Sequence, residues 1–569
     1  MRKFFSALVG MVVIAVILTG CSGTATTSTT KPVSPATTST TAAAPASTTA
    51  APAASTTAVT PASATAAQSK PSAPAASTPA VSAPAASGSA YNQYKRTVGL
   101  MKNDATKAYD GYTLFAPKHT GTTYLINNKG ELVNKWTTSQ YDPGQTCYLR
   151  ENGNLVRAAL KKGAISTGGG EGGRIEEYDW SGKLVWATDF STDKYLQSYD
   201  FVLLPNGNII LIAVEKKTTA EAIQAGFNPT NLDPKQNFIL PGALHEIKPK
   251  MPEGHDIVWE WHTWDHLIQN FDKTKDNYGT PSEHPELVNV NVQKAPYFWN
   301  HMDAVTYNAK WKQVMITVRG NNEIWIIDHS TTTVQAKEHS GGTYNKGGDL
   351  LYRWGNPAQY GAGTTADQRY FQPHSATWID DNMPGGGNIL VFNNSAGPNY
   401  STVAEFKPAV DANGNYSITP GQAYGPKDFS WTFKATPPES MFDRDLSSAQ
   451  RLPNGNTLID SGTHGRFIEV TSAGEVVWEY INPVTTAPMG YADAIPVDPN
   501  HPLELNIVCF KALRYGTDFA GFKGKDMTPK GFIETDTPPK AAAAAPAGGG
   551  PAQGQGGAAP PPRPPAPAP

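Results

Sequence analysis

Histidine titrates closest to neutrality, so a well-placed imidazole can serve as nucleophile or as general acid and base near pH 7. The 569-residue chain has 12 histidines, and three stand in frames that suit chemistry. His301 opens an apolar run in Trp299-Asn-His-Met-Asp-Ala-Val305, and His374 opens another in Phe371-Gln-Pro-His-Ser-Ala-Thr-Trp378. His464 follows a run in Leu458-Ile-Asp-Ser-Gly-Thr-His-Gly-Arg466. Arg319 closes Val314-Met-Ile-Thr-Val318, and Asn393-Asn394 holds the same place after Leu390-Val-Phe392. Imidazoles joined by a guanidinium and a carboxamide suit an anionic substrate whose charge shifts during reaction, because arginine grips oxyanions with a fork of donors. Any one of these histidines alone reads equally as a half-buried packing residue; the equivalent placement of three argues for a site. A metal reading is weaker. His262-Thr-Trp-Asp-His266 has the spacing of a helical ligand pair, with His255 and His284 nearby. No cysteine or glutamate motif completes it, so neither metal nor cofactor is expected.

The elements that must position these residues repeat along the chain. One sub-pattern is an apolar strand leaving a turn of the type Leu-Pro-Asn-Gly-Asn. It occurs at Arg150–Val156, Leu204–Ile210, Met383–Leu390 and Leu452–Leu458, with a degenerate copy at Asn308–Gln313. Asn-Gly between apolar runs signals a hairpin in which both turn residues take positive φ. The second sub-pattern is a short apolar run closed by tryptophan, at Trp136, Trp186, Trp259, Trp354, Trp431 and Trp478. These six are spaced by about 70 residues on average, room for four short strands per unit. Six such units predict an all-β chain folded as a six-bladed β-propeller, with each tryptophan filling the gap between blades. Two β-sandwiches would also be strand-rich but give no reason for the period. The first unit lacks an opening strand, and the chain ends with Tyr491–Ile495 and Asn506–Phe510, which have no Trp-ended partner. C-terminal strands are therefore expected to complete the N-terminal blade and close the ring. In a propeller the innermost strands line a central channel, and His301, His374, His464, Arg319 and Asn394 fall where different blades would aim them at one axis.

The segments outside this core read as address and tether. Arg2 and Lys3 precede an apolar stretch, Phe4 to Leu18, of signal-peptide length. It ends in Leu18-Thr-Gly-Cys21, which resembles the lipobox of bacterial lipoproteins, so residues 1–20 are expected to be a lipoprotein signal peptide and Cys21 the lipidated residue. Residues 21–90 are rich in Ala, Thr, Ser and Pro and residues 536–569 in Pro, Ala and Gly; both are expected to be disordered. The tether would reach about 45 Å as a coil and up to about 200 Å if extended. The propeller is assigned to residues 91–535. A net charge of −3 disfavours nucleic acid as a partner; the expected contacts are a membrane, through the lipid, and small molecules. Export places the two remaining cysteines, Cys147 and Cys509, in oxidising space. They are expected to form a disulfide that locks the ring, worth up to about 5 kcal/mol.

The sequence resembles the bacterial arylsulfate sulfotransferases over roughly residues 110–515. The resemblance rests on His301-Met-Asp-Ala-Val305, on His374-Ser-Ala-Thr-Trp378 with Gly387-Asn-Ile-Leu-Val-Phe-Asn-Asn394, and on Arg451-Leu-Pro-Asn-Gly-Asn-Thr-Leu-Ile459 running through Gly465–Val470 to Val477-Trp-Glu-Tyr480. It implies a six-bladed propeller that transfers a sulfuryl group from a phenolic sulfate ester to a phenol through a transient sulfohistidine, without a nucleotide sulfate donor. It implies channel histidines at His301, His374 and His464. The attacking residue is expected to be His464, between Gly462 and Gly465, with small neighbours that let a substrate approach. His301 and His374 are expected to hold the sulfuryl oxygens and assist the phenol proton, and Arg319, Arg466 and Asn394 to bind substrate by adding charge and donors. The family's arginine after the second histidine's blade is not evident, and its separate N-terminal β domain has no counterpart between tether and propeller. The competing reading is a surface-tethered propeller that binds or assembles without chemistry. A quinoprotein dehydrogenase normally has more blades, and no adjacent cysteine pair occurs here.

Overall fold

In the computed structural model, residues 98–484 and 508–534 are described, apart from eight loop positions. The expected signal peptide, Cys21, the tether, the strand at Tyr491–Ile495 and the C-terminal tail lie outside the described residues. Six antiparallel sheets form a six-bladed propeller. Blade 1 holds Gly111–Pro117, Thr122–Asn127 and Leu132–Thr137. Blades 2 and 3 span Pro143–Asp189 and Tyr195–His262, and blades 4, 5 and 6 span Met302–Trp354, Pro373–Phe433 and Ser448–Ile481. Among the described residues no helix is long and apolar enough to cross a membrane.

Closure uses both ends of the chain. The C-terminal strand Cys509–Gly516 is the innermost strand of blade 1, paired with Gly111–Pro117. A second closure was not legible in the sequence. Gly99–Asn103 adds a fifth, outermost strand to blade 6, pairing with Val476–Ile481. It covers an edge that would otherwise present unpaired N–H and C=O groups.

All six periodic tryptophans lie in the fourth strand of their blade. Each indole N–H donates to the turn between the third and fourth strands of the next blade. Trp136 donates to Asp179 O (2.9 Å), Trp186 to Gly254 O (2.9 Å) and Trp259 to Thr331 Oγ1 (3.1 Å). Trp354 donates to Pro426 O (2.6 Å), Trp431 to Ser472 O (2.8 Å), and Trp478 closes the circle on Asn128 O (2.8 Å). The core is accordingly a ring of six interblade clusters, each built from two adjacent sheets. Middle strands such as Gln313–Val318 are buried on both faces because a blade lies on either side.

The hairpin signals mark the turns between first and second strands, as their spacing predicts, but with a different turn. In the three Asn-Gly turns only the glycines have positive φ: Gly153 +83°, Gly207 +87° and Gly455 +89°. The preceding asparagine instead accepts a backbone N–H two residues on, as Asn206 Oδ1 does from Asn208 N (3.0 Å). This is an Asx turn, which asparagine favours because its side chain mimics a backbone acceptor.

The expected disulfide is not formed. Cys147 and Cys509 are both buried and are not joined to each other. Cys147 packs in the cluster between blades 1 and 2, and Cys509 in the cluster between blades 1 and 6. The sheet of blade 1 therefore separates them. Burial pushes the Cys147 thiol up to about 12 and raises Cys509 well above its ordinary value.

Two measurements check this architecture. Trp478→Phe, which removes the ring-closing donor from a fully buried site, should cost about 2–4 kcal/mol in urea unfolding. Trp431→Phe should cost clearly less, because Trp431 is only partly buried; equal losses would contradict a special role for closure. Unreduced protein should resist alkylation when folded and take up two alkyl groups at Cys147 and Cys509 when unfolded, read by peptide mass.

Candidate active site

The entrances of the inner strands and the ends of the second strands lie on one face of the ring. The entrances are built under strain. Tyr199 in blade 3 (φ +51°), His301 before blade 4 (+43°), Gln372 and Ser375 in blade 5 (+56° and +52°), and Leu446 and Ser447 before blade 6 (+63° and +83°) are all left-handed. Such conformations in non-glycine residues cost on the order of 1–3 kcal/mol each and cluster where side chains must be aimed. The inner strands of blades 4 and 5 also carry bulges, between Met302 and Ala304 and between His374 and Thr377. Neither feature has a sequence signature.

His301 Nε2 lies 2.8 Å from the Tyr199 hydroxyl, and its ring stacks on Phe298 with centroids 4.2 Å apart. His374 is buried, with Nδ1 2.8 Å from Asn394 Oδ1. That carboxamide is fixed by its own Nδ2 donating to Leu446 O (2.9 Å). Leu446 N donates to His374 Nε2 (3.3 Å), so His374 carries its proton on Nδ1. Burial, then the charge of Arg319, holds His374 down at about 4, and the same causes, with His374, hold His301 well below its ordinary value. Both are neutral imidazoles at pH 7. Arg319 extends from the second strand of blade 4 to Gln372 Oε1 (2.8 Å) and Asp445 Oδ1 (2.6 Å). It is therefore a cation beside two uncharged histidines.

His464 sits in the single helical turn Gly462–His464 that follows the second strand of blade 6. Its Nδ1 lies 3.1 Å from Oδ1 of the buried Asp443. Asp443 also accepts from Ser461 Oγ (2.6 Å) and Thr463 N (2.9 Å). Burial raises the Asp443 carboxyl, but His464, Ser461 and Thr463 outweigh it and hold it below its ordinary value. An ionised partner on Nδ1 leaves the Nε2 lone pair of His464 available. Gly462 has a different reason from substrate approach. A Cβ there would meet Cys509 O at 2.4 Å and Ser447 N at 2.8 Å, so the glycine admits two neighbouring backbones.

The expected residues do not all converge. His301, Arg319, His374 and Asn394 form one group, and His464 joins it through the segment 443–446. Arg466 stands apart. It begins the third strand of blade 6, pairs with Glu479 Oε1 (2.6 Å) of the adjacent strand and donates to Ser440 O (3.1 Å), and none of these partners belongs to the histidine group. Asn393 accepts from Phe371 N (2.8 Å) and shapes the strand entrance. Sequence reasoning missed Tyr199, Asp443 and Asp445. The acidic pair in Asp443-Arg-Asp445, just before an inner strand, was the available signal for the last two. It also missed an apolar wall beside the histidines, formed by Tyr199, Phe298, Leu446 and Phe510. Surface clefts, such as the one lined by Tyr109, Asn454, Asn456 and Asp518, sit at the rim of the hairpin turns and away from these histidines. The two members of the His262/His266 pair also diverge, because His262 ends a strand and one tight turn, Thr263–Asp265, separates them.

The neutrality of His374 gives a titration test. The unfolded chain takes up a proton near 6.5 and the folded one only near 4, so this residue's contribution to stability is full above about 6.5 and is lost as pH falls toward 4. In histidine-labelled protein the His374 ring should keep neutral NMR shifts from pH 7.5 to 5. Asn394→Asp, which sets a carboxylate against Nδ1, should raise its pKa by about 1–3 units. Titration of His374 near 6.5 in the unchanged protein would contradict the assignment.

The arylsulfotransferase (ASST) family model matches residues 97–489. No curated protein matches the sequence. Solved structures similar to this chain include a protein of unknown function from Bacteroides caccae, with 11% identity over 66% of this chain and 94% of that one and a TM-score of 0.36. A functionally unknown protein from Desulfotomaculum acetoxidans has 12% identity over 65% and 95%, with a TM-score of 0.32. A catalytically inactive virginiamycin B lyase from Staphylococcus aureus, with quinupristin, has 12% identity over 69% and 90%, with a TM-score of 0.31. The family match covers well over half of the chain, and the protein therefore belongs to the arylsulfotransferase family.

Proposed function

We propose that this protein moves a sulfuryl group from a phenolic sulfate ester to a second phenol through a sulfohistidine at His464, without a nucleotide sulfate donor or a cofactor. Family membership carries the coarser statement, an aryl sulfotransferase acting on phenolic compounds. The observation that carries the finer one is the Asp443–His464 pair. A carboxylate on Nδ1 orients the ring, holds the tautomer and stabilises the cation that forms when Nε2 bonds to another atom.

In the first half-reaction the His464 Nε2 lone pair attacks sulfur. The S–O bond to the donor ring breaks, and its electron pair leaves with the phenolate. Arg319, with donors from neighbouring side chains, offsets charge on the sulfuryl oxygens. In the second half-reaction the acceptor phenol loses its proton to a neutral imidazole. His301, hydrogen-bonded to Tyr199, suits that role. The phenol oxygen attacks sulfur, the N–S bond breaks, and its electron pair returns to Nε2. The wall of Tyr199, Phe298 and Phe510 supports aromatic partners. We also propose an exported, lipid-anchored protein, from Leu18-Thr-Gly-Cys21 and the tether.

Purified protein given p-nitrophenyl sulfate and a second phenol should release nitrophenol at a rate that depends on the acceptor. His464→Ala should remove both half-reactions, and Asp443→Asn should slow them by about 10²-fold or more. His301→Ala and His374→Ala should slow turnover while sulfated enzyme still accumulates from donor alone, seen as an added sulfuryl group by intact mass. Sulfation of the His464→Ala protein would reverse the roles. No nitrophenol release with any acceptor would favour a propeller that only binds.

A further inference from the structure

A second cluster of ligating side chains lies on the outer strands of blade 3, away from the candidate active site. His245, in the third strand, is paired in register with Glu260 in the fourth. His262 lies two residues further along and so shares the face of Glu260. One ligand atom from each of His245, Glu260 and His262 lies within 4.8 Å of the others. Nε2 of His245 is 3.3 Å from Glu260 Oε1, and the rings of His245 and His262 meet edge to face at 5.5 Å. His262 donates from Nδ1 to Glu215 Oε1 (2.9 Å), at the end of the second strand. This hydrogen bond leaves its Nε2 free to ligate.

Two features separate this cluster from an ordinary polar edge. His245 is only 2% exposed, and its Nδ1 has no hydrogen-bond partner. Phe190 packs on its ring, with centroids 4.9 Å apart. Oε2 of Glu215 is also buried without a hydrogen-bond partner, with Lys217 Nζ standing off at 3.8 Å.

We infer that His245, Glu260 and His262 bind a borderline divalent cation of the zinc type, with Glu215 holding His262 from behind. Two imidazoles and one carboxylate match zinc and not calcium or magnesium, which prefer oxygen ligands throughout. Ligand bonds of about 2.0–2.2 Å need the three donor atoms to draw together by only about 1 Å. Glu260 and His262 are partly exposed, so water can complete the coordination. A carboxylate behind a ligating imidazole is the usual supporting arrangement. The neighbouring cluster of His266, His339 and Asp349 is a poorer candidate. Both ring nitrogens of His266 already face acceptors, Asp349 Oδ1 (2.8 Å) and Ala336 O (2.9 Å), so neither offers a lone pair.

The test is a zinc titration of the full chain, without an affinity tag, stripped by chelator and competed against a chromogenic chelator. One zinc per chain is expected, with calcium failing to compete. Glu215→Gln should weaken zinc by about 10–100-fold, and His262→Gln and Glu260→Gln by more, with unchanged circular dichroism. His339→Gln should leave the affinity unchanged. Absence of stoichiometric zinc, or binding that survives His262→Gln, overturns the site. Sulfotransfer is measured separately, and its presence or absence leaves this outcome untouched.

Discussion

The indole N–H that each blade gives to the next is the interaction on which the rest depends. A propeller blade is a sheet with two apolar faces and is not stable alone. It becomes stable when both faces meet neighbours, which demands that blades stack at a fixed offset. The tryptophan does both jobs at once. Its ring fills the interblade cluster, and its N–H satisfies an acceptor in the neighbour's outer turn. Each such bond is worth only about 1 kcal/mol net. Around a closed ring, however, an error in one offset must be absorbed by the other five. The last bond, Trp478 to Asn128, joins segments about 350 residues apart in sequence and can form only when every earlier blade is in place.

The candidate active site draws on that registration directly. His301 comes from blade 4, His374 from blade 5 and His464 from blade 6. Their supports cross the same boundaries, and one short segment ties them together. Within residues 443–446, Asp443 holds His464, Asp445 pairs with Arg319, and the Leu446 N–H meets His374. A displaced blade 6 would therefore disturb all three at once. Several left-handed residues stand among these contacts: Leu446 meets His374, Gln372 accepts from Arg319, and Tyr199 meets His301.

How much of this could be read beforehand follows from the range of each determinant. The tryptophan period and the glycine of each hairpin turn are local patterns repeated several times, so they were legible, and the terminal closure followed from a first unit that lacks its inner strand. The positions of His301, His374 and His464 followed once the blades were drawn. Three things did not. The strand Gly99–Asn103 carries no period of its own and exists only because the edge of blade 6 is open. The strained entrances use Tyr, His, Gln, Leu and Ser, residues that give no hint of positive φ. The cysteines lie in adjacent blades, which made a disulfide plausible, but which face of a sheet each thiol occupies is a matter of register that composition cannot supply.

The charges around the channel explain how so many acids can coexist there. Asp200 is held by Lys511 (2.8 Å) and by the Tyr148 hydroxyl (3.0 Å). Asp443 is held ionised by His464 and its hydroxyl neighbours. Two other buried acids, Asp303 and Asp460, shift in the direction opposite to Asp443. Burial, reinforced by Asp200 at Asp303 and by Asp443 at Asp460, pushes both carboxyls well above their ordinary value. Like charges at close range in a poorly solvated channel cannot all ionise, so the protons settle where compensation is least. Asp303 and Asp460 thus favour the protonated carboxyl. Arg319 keeps part of its field for a ligand because Asp445, its partner, is half exposed and screened by water. That same field helps keep His301 and His374 uncharged. An anion entering from the mouth would therefore meet the Arg319 guanidinium beside the uncharged rings of His301 and His374, and an ionised Asp303 would set a negative charge against it.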